Sequence, residues 1–490
     1  MTTQPQSQAP LIGEKWNGAA WGLIILVAGA LFLDGLDLSM VNIALPTIGD
    51  ELDLGAGSLQ WIVNAYILGY GGFLLLGGRA SDLFGRRAVF LIAVAVFGLA
   101  SVVSAFMGDI GWLIALRFIK GVAAGFTVPA GMSIVSTSFA PGQSRSRALS
   151  LYAVIGTMGF GMGLVLGGSL TQVGWRLTLL APGPVALLFF LLGLKLVPRA
   201  TRAAMSWNQF DLFGALTLTG SLLLLVYGLV QGPEIGWGEP ITLISLVLAA
   251  ILMIAFVIIE LKHPYPLMRL GILKSASVIH INISAAVLLG SFMGFQFVIT
   301  LYVQGSLQWI PIMVALAFIP SNLIQPMLGP RMGPIFARAK RGTTVPILAS
   351  LSLLTIGYLL MLRTEPDMNY WNFLFPTMIL IGFAFAIGFP AVNVGAAHGV
   401  AEHEHGIASG LLNTSLQIGG AVSLAVISGV LASGNQPTVS GELLPNFHQA
   451  MIVMAVLSGI GVLVTLGILI RGKRPSPAEA SPEPAEQVMQ

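Results

Sequence analysis

Fourteen apolar stretches of about twenty residues, each closed by polar or charged positions, decide what this chain can fold into. A helix needs about 20 apolar residues to cross the hydrocarbon core of a bilayer, and backbone facing lipid must satisfy its own hydrogen bonds. Each stretch therefore reads as a transmembrane helix, over 18–46, 58–78, 88–108, 112–137, 149–170, 177–197, 211–231, 241–260, 278–303, 309–330, 344–363, 371–396, 407–432 and 447–470. The composition agrees: 56% hydrophobic and 9% charged residues, where soluble proteins carry about 25% charged. A soluble enzyme or binding module is excluded on that ground. The first stretch is too long for a signal peptide, lacks a basic n-region and has no cleavage site before the second, so it is expected to stay attached.

Lysine and arginine set the orientation. With a cytoplasmic N-terminus, 19 of the 23 fall on cytoplasmic segments, among them Arg79, Arg86, Arg87, Arg145, Arg147, Lys195, Arg199, Lys262, Arg331 and Arg338. Only Arg176 and Arg363 remain on the outer side, and the positive-inside rule selects this topology. Asp50, Glu51, Asp53, Asp109, Glu234, Glu239, Glu365 and Asp367 then lie on outer loops. Both termini are expected in the cytoplasm, with disorder over the first dozen residues and the Pro-rich acidic tail. A net charge of only +3, with basic residues in short clusters between apolar runs, gives no nucleic-acid footprint. With no cysteine, disulfides, thiol chemistry and Cys-based metal sites are ruled out.

An internal repeat is visible. GVAAGFTVPA at 121–130 aligns with GFAFAIGFPA at 382–391, matching Gly121 to Gly382, Pro129 to Pro390 and Ala130 to Ala391 at an offset of 261 residues. The same offset relates the start of a six-helix block near residue 18 to one near 278. The expected plan is an all-α membrane protein of two six-helix bundles. Residues 1–17 form a cytoplasmic tail, 18–197 the first bundle, 198–277 a linker with two extra helices, 278–471 the second bundle and 472–490 a disordered tail.

Charges near the bilayer centre cost on the order of 2.5–3.5 kcal/mol each on insertion scales and so demand an explanation. There are four: Asp34 and Asp37 in the first span, Arg117 and Lys120 in the fourth. Each pair is spaced i, i+3, which puts both side chains on one helix face, about 60° apart. Two carboxylates in a low-dielectric cavity cannot both ionise cheaply, so at least one is expected to hold a proton near neutral pH. A fixed ion-pair network that aids assembly is the competing explanation.

Several motifs resemble the major facilitator superfamily, specifically its fourteen-helix drug:proton antiporter family, along almost the whole chain. GRASDLFGRR at 78–87 is similar to the superfamily's loop between the second and third helices. The resemblance implies that Gly78, Asp82, Gly85, Arg86 and Arg87 latch the cytoplasmic gate, the two glycines allowing tight turns. Leu83 stands where the family commonly has a basic residue. LDLSMVNIALP at 36–46 resembles the first-helix motif, implying proton coupling at Asp37, with Asn42 and Pro46 also matching. WIVNAY at 61–66 supplies Trp61 and Tyr66, which either line the cavity or pack and anchor at the interface. RFIKGVAAG at 117–125 resembles the motif whose arginine takes part in proton transfer, a role carried to Arg117. Lys120 replaces the family's usual glutamine, makes the intramembrane charge sum zero, and opens the question of an anionic or zwitterionic cargo.

GTMGFGMGLVLGG at 156–168 resembles the antiporter signature of the fifth helix, but Leu164 occupies the place of its proline. Gly156, Gly163, Gly167 and Gly168, with Gly159 between them, read as a groove for close helix approach. GIASGLLNTSLQIGG at 406–420 resembles the thirteenth helix and places Asn413 and Gln417 on one face. With Asn282, Gln296, Asn322, Gln325 and Asn393 they supply hydrogen bonds either to a substrate or between helices. His398, His403 and His405 are close in sequence, yet no metal site is expected, and HExxH, Walker and dinucleotide signatures are absent. The expectation is a monomeric, multi-pass transporter of the cell membrane, not an enzyme. It is read as needing no cofactor and as exporting a hydrophobic small molecule against protons. Asp37 and Asp34 would exchange protons, Arg117 would modulate them, and Lys120, Asn42, Trp61, Tyr66, Gln296, Asn413 and Gln417 would line the cavity. A proton symporter or facilitator for a metabolite, and a non-transporting receptor or assembly factor, are the alternatives.

Overall fold

The structure is a computed structural model that describes residues 12–13, 15–140, 142–199, 211–264, 266, 270–271, 275–337, 342–366, 369–372, 374–398, 405–434 and 441–470. Among them it holds fourteen helical spans long and apolar enough to cross a membrane. The first half comprises α1 (Gly18–Leu52), α2 (Ala56–Ala80), α3 (Arg86–Ser104), α4 (Ile110–Ser138), α5 (Gln143–Val173) and a sixth span in two pieces, α6 (Arg176–Leu180) and α7 (Pro182–Leu196). Then come α8 (Leu212–Ile235) and α9 (Pro240–Lys262). The second half runs α10 (Ala276–Leu301), a split span α11 (Pro311–Ala317) and α12 (Ile319–Ala337), α13 (Thr344–Met361), α14 (Leu374–His398), α15 (His405–Ala432) and α16 (Phe447–Ile470). The terminal tails and His403 lie outside the described residues.

Helix pairing repeats between the halves. α1 packs on α5 as α10 packs on α15, α2 on α4 as α12 on α14, α3 on α4 as α13 on α14, and α3 on α7 as α13 on α16. The two matched prolines both sit inside helices, Pro129 in α4 and Pro390 in α14. At one end Gln304 Nε2 donates to the Ile43 carbonyl oxygen at 2.9 Å, and the two residues are 261 apart. Equivalent positions of the repeat therefore meet, which puts the pseudo-two-fold axis between α1 and α10. The hairpin α8–α9 packs outside this arrangement, against α2 and α15.

Two spans differ from the sequence expectation in an instructive way. α1 continues six residues beyond Pro46 and stops at Asp53, whose backbone is left-handed (φ 52°) and whose N–H returns to the Gly49 carbonyl. The proline lacks only one donor, and the turns after it keep their own bonds. Between α2 and α3 the expected loop of tight turns is instead a single wide helical turn, Ser81–Gly85. Gly85 alone bends the chain there (φ 91°), whereas Gly78 is an ordinary helical residue.

Close backbone approach sets the packing. A Cβ on Gly159 would lie 2.2 Å from the Phe32 carbonyl oxygen of α1, and one on Gly163 2.4 Å from that of Leu36. Gly156 and Gly167 face Leu31 and Met40 on the same seam, and Gly168 faces Ile312 of α11 across the boundary between halves. Gly121 of α4 is tighter still, at 2.0 Å from the Tyr66 carbonyl oxygen of α2, while Gly78 has nothing nearer than 3.9 Å. Overpacking of this kind costs about 1–3 kcal/mol or more. Gly121→Ala is thus expected to lower the melting midpoint in detergent by several degrees, and Gly78→Ala to leave it in place. Equal midpoints would show that the α2–α4 crossing tolerates separation.

The ends of the bundle differ. At the end bearing Asp50, Glu51 and Asp109, here the acidic end, one apolar core joins both halves: Ile43, Leu45 and Ile48 of α1 share it with Phe297, Val298 and Phe318. Trp175 Nε1 also donates to Glu51 there, at 2.7 Å, beside the Glu51–Arg176 ion pair. At the opposite, basic end a separate core is built from α1, α3, α4 and α5, around Leu23, Phe90, Val135 and Ala148, with no second-half residue among those described. The halves are sealed together at the acidic end.

Candidate transport site

The four intramembrane charges converge, although they come from helices 80 residues apart in sequence. Gly69, Gly77, Gly121 and Gly125 let α2 and α4 touch backbone to backbone. That contact brings Arg117 onto α2, where its Nε donates to the Ile62 carbonyl at 2.9 Å and its guanidinium lies 4.5 Å from the Tyr66 ring centre. Arg117 Nη1 also pairs with Asp37 Oδ2. Lys120, one helical turn on, pairs with the other carboxylate oxygen of Asp37. Its ammonium also donates to Ser101 Oγ at 3.0 Å and sits 4.8 Å from the Phe97 ring centre, both on α3. Asp37, Arg117 and Lys120 are each fully buried.

Asp34 is placed differently. It is 6% exposed, makes no ion pair among the described residues, and its Oδ2 has no hydrogen-bond partner. Tyr66 donates its hydroxyl to the Asp34 backbone carbonyl at 3.5 Å. Tyr66 and Tyr70 stack edge to face, with centroids 6.3 Å apart. One carboxylate of the pair thus has two cations and the other has none.

The remaining candidates separate into groups. Asn42 is buried with its Oδ1 unpartnered, and Gln296 is fully buried with both amide atoms unpartnered. Gln296 shares a face of α10 with Phe292, whose ring contacts Phe160 of α5 at 5.8 Å and Phe385 of α14 at 4.7 Å, so that face looks to the boundary between halves. Gln417 packs against Gly71 of α2 on the same boundary, and Asn413 is half-buried one turn away. Trp61 lies elsewhere, 6.2 Å from the Tyr227 ring on α8, toward the hairpin. Lys120 faces α3 inside the first half rather than the boundary, and Tyr66 is packed beneath Arg117. Asn282 accepts from Ser415 at 2.8 Å, and Asn322 and Asn393 bond back to their own helices.

In the first turn of α3, Arg87 donates to the carbonyls of Leu194 (2.6 Å) and Val197 (2.9 Å), capping the end of α7. Arg79 reaches the Pro266 carbonyl of the linker between halves, at 2.6 Å. The Asp82 side chain is not described, nor are those of His398 and His405. Sequence reading passed over Ser101, Phe97 and Tyr70, which carry no motif, and over His280, buried in α10 and 2.9 Å from Thr465 of α16. For Tyr70 the signal is the stripe Gly69, Gly77, Gly121 and Gly125, which brings α2 against α4; Ser101 and Phe97 on α3 have no such mark.

A duplicated bundle of fourteen apolar spans, with charges buried inside its first half and an amide on the face toward the boundary, defines a membrane transporter rather than an enzyme. The family model of the Major Facilitator Superfamily matches residues 27–424 and 283–489. Among similar proteins, the puromycin resistance protein pur8 of Streptomyces alboniger is 33% identical over 92% of this chain and 90% of its own. The cephamycin export protein CmcT of Amycolatopsis lactamdurans is 31% identical, over 94% and 95%. The nucleoside transporter NupG shares the fold with a TM-score of 0.60 at 14% identity, over 92% of this chain and 100% of NupG. The chain belongs to the major facilitator superfamily.

Proposed function

We propose that this protein exports hydrophobic or amphipathic small molecules, of the kind its resistance and export relatives are named for, in exchange for protons. The observation that carries the reading is Asp34. A buried carboxylate with no counter-charge holds a proton rather than a charge. Water reaching it from the basic end would take that proton away. Asp37 is spent on Arg117 and Lys120, so the exchanging site is assigned to Asp34, with Asp37 as the residue that holds the two cations in place. The proton gradient supplies the energy, no cofactor enters, and one chain suffices because the repeat already provides two halves.

The basic end is assigned to the cytoplasm on the distribution of lysine and arginine. With the halves sealed at the acidic end, the conformation is then inward-facing, the state in which Asp34 deprotonates and cargo loads. Cargo loading from the basic end would part the boundary face of Gln296, whose unpartnered amide then bonds the cargo; leaving that amide dry costs about 1–3 kcal/mol. The question of an anionic or zwitterionic cargo arose because Lys120 brings the intramembrane charge sum to zero; held against α3, that positive charge is turned from the boundary, which favours a neutral or cationic cargo.

The test uses purified protein in liposomes with puromycin as probe. An acidic lumen is expected to drive uphill accumulation, and collapse of the gradient by an ionophore to release it. Accumulation under an acidic exterior would instead make the protein a symporter. Topology has its own check, because the natural chain has no cysteine. In intact cells, Gly108→Cys at the acidic end is expected to react with a membrane-impermeant maleimide, and Gln143→Cys at the basic end to react only after permeabilisation. The reverse pattern would invert the assignment.

A further inference from the structure

At the basic end, away from the transport charges, a cavity of about 280 Å³ opens between the start of α3 and the chain leaving α7. Three arginines line it, Arg86, Arg87 and Arg199, together with Phe84, Gly85 and Leu91, and no acidic side chain among those described does. The cavity is built rather than incidental. Arg87 uses both terminal nitrogens to hold the α7 carbonyls of Leu194 and Val197, which fixes the segment carrying Arg199 beside the first turn of α3. Gly85, at φ 91°, turns the chain so that α3 begins at the cavity, and no side chain caps that beginning. The guanidinium groups of Arg86 and Arg199 have no ion pair among the described residues.

An apolar stripe runs from this cavity along α3. Ile92, Val96, Leu99 and Val103 are exposed at helical spacing, Ile92 by 64% and Leu99 by 56%, and Leu188 and Leu191 are exposed on the adjoining α7. In a chain with fourteen membrane spans, that stripe faces acyl chains. A ligand filling both parts has a phosphate head and a hydrocarbon tail. We propose that this cavity binds the phosphate of an anionic phospholipid, with its chains lying along α3 and α7. Guanidinium groups bind phosphate oxygens bidentately, the unsatisfied amides and positive dipole of a helix start add to the attraction, and basic pockets at the cytoplasmic ends of spans suit anionic headgroups. The lipid would tie α3 to α7 within the first half, steadying the loop from α2 that the resemblance assigns to the gate. Nothing in this inference depends on which carboxylate carries protons.

The experiment uses delipidated full-length protein in detergent, titrated with dioleoyl phosphatidylglycerol, dioleoyl phosphatidylcholine or inorganic phosphate. Thermal stabilisation and native mass spectrometry are the readouts. Phosphatidylglycerol is expected to stabilise and to stay bound, phosphatidylcholine to do neither, and Arg86→Gln with Arg199→Gln to weaken the phosphatidylglycerol effect at least tenfold. Arg199→Gln alone, an exposed position outside any helix, gives a severalfold loss and keeps the test open if the double variant does not fold. Equal retention of phosphatidylglycerol by variant and parent overturns the proposal. Equal stabilisation by inorganic phosphate assigns the cavity to a soluble anion and overturns the lipid.

Discussion

Asp34→Asn is expected to abolish uphill transport while leaving the fold intact. In liposomes with an acidic lumen, accumulation of puromycin should fall to the level of protein-free vesicles. Downhill exchange between equal-pH compartments should persist, because an amide imitates the neutral acid in size and shape. The separation of the two assays follows from the geometry: among the described residues Asp34 makes no ion pair, and its Oδ2 has no hydrogen bond, so the substitution removes a proton site and breaks no ion pair there. A stability change within about 1 kcal/mol is expected, as for substitutions that disturb no packing or network. The variant's downhill rate should also be flat with pH where the parent's is not. Uphill accumulation by Asp34→Asn at the parental rate would remove Asp34 from the coupling step.

The sequence made much of this legible, and where it fell short the cause was three-dimensional. Span number, the 261-residue repeat and the four buried charges follow from one-dimensional patterns: apolar run length, an offset, and charge where lipid forbids it. Partner choice does not. Asp34 and Asp37 are equivalent by spacing, and the motif resemblance favoured Asp37 as the proton site. The structure distinguishes them because α4 crosses α2 at Gly121, which aims both bases at Asp37 and neither at Asp34. Lys120 likewise looks available to a substrate in sequence, yet Ser101 and Phe97 receive it on α3. Trp61 belongs to the motif-bearing start of α2 but turns to Tyr227, on a hairpin that the repeat does not contain. Gly78 matched the loop motif as a turn residue, and the wide turn that follows α2 leaves only Gly85 with that duty.

The clamp around Asp37 yields the second large effect, on stability. Asp37→Asn leaves Arg117 and Lys120 buried without a counter-charge, and breaking a buried pair in this way costs about 3–5 kcal/mol. Lys120→Gln is milder, because Asp37 keeps Arg117 as its counter-charge. In the double variant Arg117 retains the Ile62 carbonyl and the Tyr66 ring, so only one cation has lost its partner. The double variant is therefore expected to be more stable than the sum of the single losses by about 1–3 kcal/mol, the size of coupling typical of residues in one network. Denaturation in mixed micelles, with all four proteins in the same lipid, measures that term. Additivity within about 0.5 kcal/mol would mean that Lys120 and Asp37 do not share a network. Transport supplies an independent readout. Freed from one of its two cations, Asp37 in Lys120→Gln competes with Asp34 for protons, and the pH profile of uphill transport should gain a second step. A profile unchanged from the parent's would show that Arg117 alone is enough to keep Asp37 ionised, and that the lysine serves assembly and not coupling.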